Sequence, residues 1–241
     1  MKLALVAPPQ ALHLVESQRL SYHLVLAQYV LPDPVYADFY HKLHDKGDFI
    51  MLDNGAAENG HSLGIDELLV AAERVHADEI VMPDVLDEAA GTLMLTQRSI
   101  PSVPRRMRAV VPQGRNWAEW EYCATQLVTY GCVTICVAKR YEKLPGGRVE
   151  ALRIIKQHRW AWDHNIHLLG CSQRPLVEIG AAYNEYYGIR GIDTGAPIAY
   201  AQAGRSIDSD RHASLQWQAP FNDDMALSNI RLTLGACQGE T

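Results

Sequence analysis

Apolar residues in this chain fall into short continuous runs, separated by longer stretches in which apolar positions return every three or four residues. The runs are LALVAP (3–8), HLVLAQYV (23–30), FIMLDN (49–54), EIVMPD (79–84), MRAVVPQ (107–113), CVTICVA (132–138), IHLLGCS (166–172) and GIRGIDT (188–194). Continuous rather than alternating apolar character marks strands buried on both faces, as in a parallel sheet. Between the runs, Val35 to Lys46 (after Asp33-Pro34), Ile65 to Val75, Leu86 to Arg98, Trp117 to Tyr130, Arg148 to His158 and Pro175 to Tyr186 carry helical period. Ile65 to Val75, for example, places Leu68, Leu69 and Ala72 on one side. Only the first connection, residues 9–22, is short and irregular in pattern.

Eight β/α units within the first 194 residues predict a single (β/α)8 TIM-type barrel. A doubly wound open sheet is the competing architecture. No Gly-x-Gly-x-x-Gly follows the first run, which weakens the dinucleotide-binding form of that competitor. One domain is expected over residues 1–241, with 197–241 as a C-terminal loop and closing helix. The loop runs from Gly204 to Asp223, and Met225 to Ala236 forms the helix, with Leu227, Ile230 and Leu234 sealing the barrel.

Composition narrows the classes. At 241 residues and 48% hydrophobic content the chain can bury one large core. The N-terminal apolar run ends at two prolines without a small-residue cleavage site, and no run approaches the roughly 20 residues that span a bilayer. A soluble, cytoplasmic protein is expected. Five scattered cysteines without a CxxC pair indicate neither a disulfide framework nor a structural zinc site. The net charge of −6 argues against a non-specific nucleic-acid coat. Between Arg105 and Arg159, however, 11 basic residues face 4 acidic ones, so a local basic face is expected, with solvated helix surfaces as the alternative.

In such a barrel the C-terminal strand ends share one mouth, and polar residues there tend to be catalytic. Asp53 ends the third run, Asp84 the fourth, Gln113-Gly114 the fifth, and Asp193-Thr194 the eighth; Lys139 follows the sixth, and Ser172 and Gln173 the seventh. A strand-end Asp is often a helix cap or turn former. Asp87 is the better cap after the fourth run, and Asp53 lies too far from its helix to cap it, whereas an Asx-turn is open to Asp193. Two carboxylates facing one cavity suit displacement at a sugar carbon, one as nucleophile or cation stabiliser and the other as proton carrier. A metal is the other use of such acids, chiefly as an all-carboxylate magnesium site, but the histidines fall mostly away from the strand ends. No metal and no cofactor are assigned.

Five segments resemble the tRNA-guanine transglycosylases. MLDNGAAE is similar to their Leu-Thr-Asp-Ser-Gly-Gly-Phe-Gln segment, ADEIVMPDVLDE to Ser-Asp-Ile-Val-Met-x-Phe-Asp-Glu, and VVPQG to Ile-Ile-Gln-Gly. IHLLGCS is similar to Tyr-Leu-Met-Gly-Val-Gly, and GIDTGAP to Gly-Ile-Asp-Met-Phe-Asp-Cys. The matches run in order over strands three to eight, and the zinc-binding insertion of the tRNA enzymes is missing. The closest resemblance is to the short virus-encoded transglycosylases that insert 7-deazaguanines into DNA.

The resemblance implies exchange of guanine in DNA for a 7-deazaguanine of the preQ0 type, through a covalent aspartyl-glycosyl intermediate. It implies Asp53 as general acid/base, Asp84 reading the purine N1 and N2 hydrogens, and Gln113 with the Gly114 amide meeting O6. Asn54 and Gly55 would form the loop that lets the base approach. The family nucleophile aligns with Ala196; the nearest acid, Asp193, takes that role. A flipped or single-stranded guanine would be the substrate, with Arg115, Lys139, Arg140 and Lys143 on phosphates. Arg105, Arg106 and Arg108 are further candidates, although the latter two fit equally inside or under strand five, and Trp117 and Trp120 fit the core better than a stacking platform. A homodimer or accessory protein is left open, and the compartment would be a host's cytoplasm if the protein is virus-encoded. The alternatives are the same exchange on tRNA, a barrel enzyme acting on a small nucleoside, and a non-catalytic nucleic-acid-binding relative.

Overall fold

The computed structural model describes residues 1–171 and 174–240. In chain order the elements are β1 (Lys2–Leu5), α1 (Leu12–Ser17), β2 (Tyr22–Leu26), α2 (Ala27–Val30), α3 (Pro34–Asp45), β3 (Phe49–Asp53), α4 (Ala56–Asn59), α5 (Ile65–Val75) and β4 (Glu79–Val81). They continue with α6 (Ala89–Ser99), β5 (Arg108–Val110), α7 (Trp117–Thr129), β6 (Thr134–Ala138), α8 (Gly147–Gln157), β7 (Asn165–Leu169), α9 (Pro175–Glu185), β8 (Gly191–Thr194), α10 (Ala196–Gln202) and α11 (Asp223–Gln238).

Among the described residues eight strands form one sheet in the order β1-β8-β7-β6-β5-β4-β3-β2, all paired in parallel. β2 returns beside β1, so the sheet nearly closes on itself. This is the expected (β/α)8 barrel, not an open doubly wound sheet.

The period of two along each strand sorts side chains into two layers. Leu3, Leu5, Val25, Ile50, Leu52, Ile80, Val110, Ile135, Val137, Ile166, Leu168 and Ile192 point outward and pack under the helices. Ala4, Tyr22, Leu24, Met51, Val81, Ala109 and Cys136 fill the barrel interior. Both sides being apolar explains why the runs show no alternation.

Strands end where the backbone loses donors. Pro83 follows β4 and Pro112 follows β5, which trims both runs short of Asp84 and Gln113. The 23–30 run divides: strand ends at Leu26, and Ala27–Val30 turns into α2 with Ala27 and Val30 buried on one side. α3 starts at Asp33, whose Oδ1 accepts from the Val35 and Tyr36 amides at 2.9 and 3.1 Å, a cap worth about 1 kcal/mol.

Asp87 does not cap α6, which begins two residues later with Glu88 at the cap position. Its left-handed backbone, φ 62°, delays the helix, and its carboxylate is turned to Arg140 and Lys143. In the C-terminal segment the structure adds α10, directly after β8, to the expected closing helix; α11 buries Ala226, Ile230 and Cys237.

The N-terminal end of the barrel interior is plugged by polar groups. The Arg190 guanidinium grips Glu79 with both nitrogens, at 2.6 and 2.7 Å, and the Thr134 hydroxyl donates to Glu79 at 2.7 Å. Arg190 also lies over the Phe49 ring, 4.7 Å from its centroid. The opposite end opens on a cavity.

Candidate functional site

The cavity at the C-terminal end of the barrel has a volume of about 600 Å³, a size suited to a small ligand. Asp53, Asp84, Gln113 and Asp193 all line it, as do Asn54, Lys139 and Arg140. Register explains the convergence. Asp53 pairs with Leu26 and Asp193 with Ala4, so both acids close inward-facing rows of their strands.

Asp53 is followed by Asn54 and by Gly55 at φ 75°, a left-handed position that costs glycine little. The Gly55 amide donates to Asp53 Oδ2 at 2.9 Å, and the Ala56 amide to Asn54 Oδ1 at 2.9 Å. Both are Asx-turns, so Asp53 does carry a turn while its carboxyl faces the cavity. Burial first, then the nearby Glu58, push the Asp53 carboxyl well above the usual carboxylate range; Asp193 and Asp84 add to the effect. Glu58, on α4 at the rim, is exposed as a residue, yet desolvation of its carboxyl raises it as well.

Asp84 receives the Asn54 side-chain amide at 2.7 Å and that of Gln113 at 2.5 Å. Burial nevertheless outweighs these bonds and pushes its carboxyl up to about 6. The Gln113 side-chain oxygen accepts from the Tyr141 hydroxyl at 2.9 Å and the Asp87 amide at 3.1 Å. The Gly114 amide donates to the same hydroxyl at 3.1 Å. Gly114 is also pressed against the start of α7: an added Cβ would lie 2.5 Å from the Trp120 nitrogen. Gln113 and Gly114 thus brace Asp84 and the helix.

Asp193 makes no bond to its own turn; there the Ala196 amide donates to the Thr194 hydroxyl at 3.0 Å. Its partners come from the neighbouring strand. His167 Nε2 and the Gly170 amide both approach Asp193 Oδ1 at 3.0 Å. His167 is fully buried, and its Nδ1 meets the Tyr22 hydroxyl at 2.9 Å. Ser172 and Gln173, the polar pair after the seventh run, lie outside the described residues.

Three features were missed from sequence: His167, Glu58, and an aromatic wall in which Trp217 stacks on Tyr29 with centroids 3.8 Å apart. Trp217 belongs to the segment after α10, which is latched over the mouth by Gln10 to the Trp217 carbonyl at 2.7 Å and Gln202 to the Gln216 carbonyl at 2.7 Å. His167 had a readable signal. It sits between Ile166 and Leu168, so if those face the helices, a polar residue between them must face the barrel axis.

Three of the four basic residues expected on phosphates have acidic partners at the surface. Arg140 and Lys143 are paired with Asp87, Arg115 with Glu119, and Lys139 lies over Gly170. Arg108 is spent beneath the barrel on the carbonyls of Ile100, Val103, Tyr130 and Gly131, and Trp120 is core. The described helices include none long and apolar enough to cross a membrane.

No protein-family model matches this chain, and no curated protein matches it. Solved structures do resemble it in fold. N-acetylneuraminate lyase from Mycoplasma synoviae superposes with a TM-score of 0.55 at 10% identity, over 98% of this chain and 96% of that one. A 2,3-dimethylmalate lyase, described as a member of the PEP mutase/isocitrate lyase superfamily, gives 0.52 at 11% identity, over 81% and 75%. Phosphonopyruvate hydrolase in complex with oxalate and Mg²⁺ gives 0.52 at 12%, over 80% and 74%.

These findings correct the resemblance drawn from the sequence. No family model carries the tRNA-guanine transglycosylase assignment, and the similar solved structures include lyase, mutase and hydrolase barrels. The assignments of DNA or tRNA as polymer, a 7-deazaguanine as incoming base, and Arg115, Lys139, Arg140 and Lys143 as phosphate contacts fall with it. The physical reason is that an apolar run closed by Asp and Gly is what a barrel strand entering a catalytic-face loop looks like, whichever chemistry the loop serves.

Proposed function

We propose that this chain is an enzyme of small-molecule metabolism that performs proton-transfer chemistry, of lyase or isomerase type, on an uncharged or cationic substrate rich in hydroxyl or amino groups. The observation that carries this is the pairing, in one cavity, of two carboxyl groups in opposite environments. Burial and the neighbouring acids push the Asp53 carboxyl well above the usual carboxylate range, and Asp193 is fixed by two donors to one oxygen. Titratable groups whose surroundings differ in this way divide into acid and base. Asp193 takes a proton from a substrate hydroxyl or carbon, and Asp53 delivers one to the atom where charge develops.

Val6, Leu24, Leu26 and Val111 give the cavity apolar walls, and a low-polarity surrounding strengthens both roles. The crowd of acids favours substrate groups that donate hydrogen bonds. The similar barrels named above, an N-acetylneuraminate lyase and a phosphonopyruvate hydrolase among them, act on small molecules and support the size class. Asp84, Asn54 and Gln113 form the recognition edge, and Trp217 with Tyr29 covers an apolar or ring face of the substrate.

The test is NMR-monitored incubation in D2O with amino sugars, polyols, hydroxy acids, 2-oxo acids and nucleosides, using the native chain, Asp53→Asn and Asp193→Asn. The expected result is deuterium incorporation or bond cleavage in one of the hydroxyl- or amino-rich classes, reduced about 100-fold or more in each variant. Turnover that both variants retain, or absence of turnover in every class, overturns the proposal.

A further inference from the structure

A second cluster lies on the outer surface, away from the barrel mouth. Near the C-terminal end of α3, His41 and Asp45 stand one turn apart, with His41 Nε2 3.5 Å from Asp45 Oδ2. His76, immediately after α5, brings its Nδ1 to 4.0 Å from Asp45 Oδ1. One ligand atom from each of the three residues fits within a span of 4.8 Å, and His41, Asp45 and His76 form the one group of this kind among the described residues. We propose that this is a divalent transition-metal site, suited to Zn²⁺, that staples α3 to α5.

Three independent features support it. The first is tautomer control. His41 Nδ1 lies 3.1 Å from the Arg74 carbonyl, an acceptor only, so Nδ1 carries the hydrogen and the Nε2 lone pair is presented towards Asp45. Metal-binding histidines are commonly oriented in this way by a backbone carbonyl. The second is placement. His76 adopts a left-handed backbone, φ 53° and ψ 49°, at the end of α5, which brings its ring over the neighbouring helix. The His41 and His76 rings lie with centroids 4.0 Å apart, and His44 meets His76 edge-on at 5.4 Å, limiting the ring's freedom.

The third is donor chemistry. Two imidazoles and one carboxylate select Zn²⁺ and its neighbours in the transition series over Mg²⁺ or Ca²⁺. A tetrahedral ion with ligands at about 2.0–2.1 Å needs its donor atoms roughly 3.3 Å apart; His41 and His76 approach opposite oxygens of Asp45 at 3.5 and 4.0 Å, and side-chain rotation would gather one donor of each residue, already within 4.8 Å of one another, around the ion. His41, Asp45 and His76 are 37%, 60% and 47% exposed, which leaves the fourth position to water.

Calorimetric titration of the chelator-treated full chain with ZnCl2 tests the proposal, together with thermal unfolding at matched metal concentration. The expected result is one ion per chain, a melting temperature that rises with Zn²⁺, and no response to the same concentration of MgCl2. His41→Ala and His76→Ala should each weaken binding at least about tenfold and lose the thermal response, whereas His13→Ala, at a distant surface histidine, retains both. Absence of Zn²⁺ binding by the native chain, or unchanged binding in the His41→Ala/His76→Ala double variant, overturns it. Circular dichroism of the two exposed-site variants separates lost ligation from lost fold.

Discussion

His167 Nε2 stands 3.0 Å from Asp193 Oδ1, while the Tyr22 hydroxyl closes on His167 Nδ1 at 2.9 Å, so a line of three side chains runs from the barrel interior to the candidate site. A neutral imidazole satisfies both ends when Nε2 carries the hydrogen and donates to Asp193 while Nδ1 accepts from Tyr22. Nitrogen-15 NMR of the native chain should show His167 as the Nε2–H tautomer at neutral pH. A ring carrying its hydrogen on Nδ1 would break the line and remove His167 as the residue that positions Asp193.

Asp53 predicts an unusual dependence of stability on pH. Burial and the neighbouring Glu58 raise its carboxyl, so the folded chain holds this proton more tightly than the unfolded chain does. The stability linked to it is present in full below the unfolded value of about 4 and is lost as pH rises through the higher folded value. Asp53→Asn keeps an oxygen for the Gly55 amide but removes the charge. Its melting temperature should exceed that of the native chain at pH 8, and the advantage should vanish near pH 4. Equal curves at both values would show that Asp53 is not strained by burial.

The Arg190–Glu79 pair makes a prediction about the scaffold. Arg190→Met leaves the Glu79 carboxylate buried at the closed end of the barrel with Thr134 as its one side-chain donor among the described residues. Breaking a buried pair on one side costs about 3–5 kcal/mol, whereas replacing both partners by apolar residues can be nearly neutral. Urea unfolding should therefore show a large loss for Arg190→Met and a substantial recovery in Glu79→Met/Arg190→Met.

Gly114→Ala separates a structural role from a recognition role at the same position. The new methyl would meet backbone of α7 at 2.5 Å and 2.8 Å, so the helix start must move, at a cost of about 1–3 kcal/mol. A stability loss in denaturant is expected. An unchanged midpoint would show that the helix is not seated on Gly114.

Much of the barrel could be read directly. FIMLDN contains β3, and the helix expected over Ile65 to Val75 is found with those bounds. Where the reading strayed, the signal was ambiguous by nature. A continuous apolar run such as HLVLAQYV carries no period, so the turn from strand to helix at Ala27 leaves no trace in hydropathy. Charge counts locate the basic stretch but do not show pairing. Arg140 and Lys143 find Asp87 across 53 and 56 residues of sequence, from a different β/α unit.

By itself, then, the sequence determined the alternation of strand and helix, the barrel, and the arrival of Asp53, Asp84 and Asp193 at one mouth. Each follows from local pattern, because burial on both faces and strand polarity place strand-end residues on the same side of the sheet. Tertiary structure alone decided what those acids are. The contacts of Asp193 with His167 and of Asp84 with Asn54 and Gln113 fix those carboxyls, while burial and the nearby Glu58 raise that of Asp53. Most of these distances span elements far apart in the chain, and the dielectric around each group belongs to the cavity at the barrel mouth rather than to any segment. A run of letters can place an acid at a strand end, but only the folded surroundings assign it a chemistry.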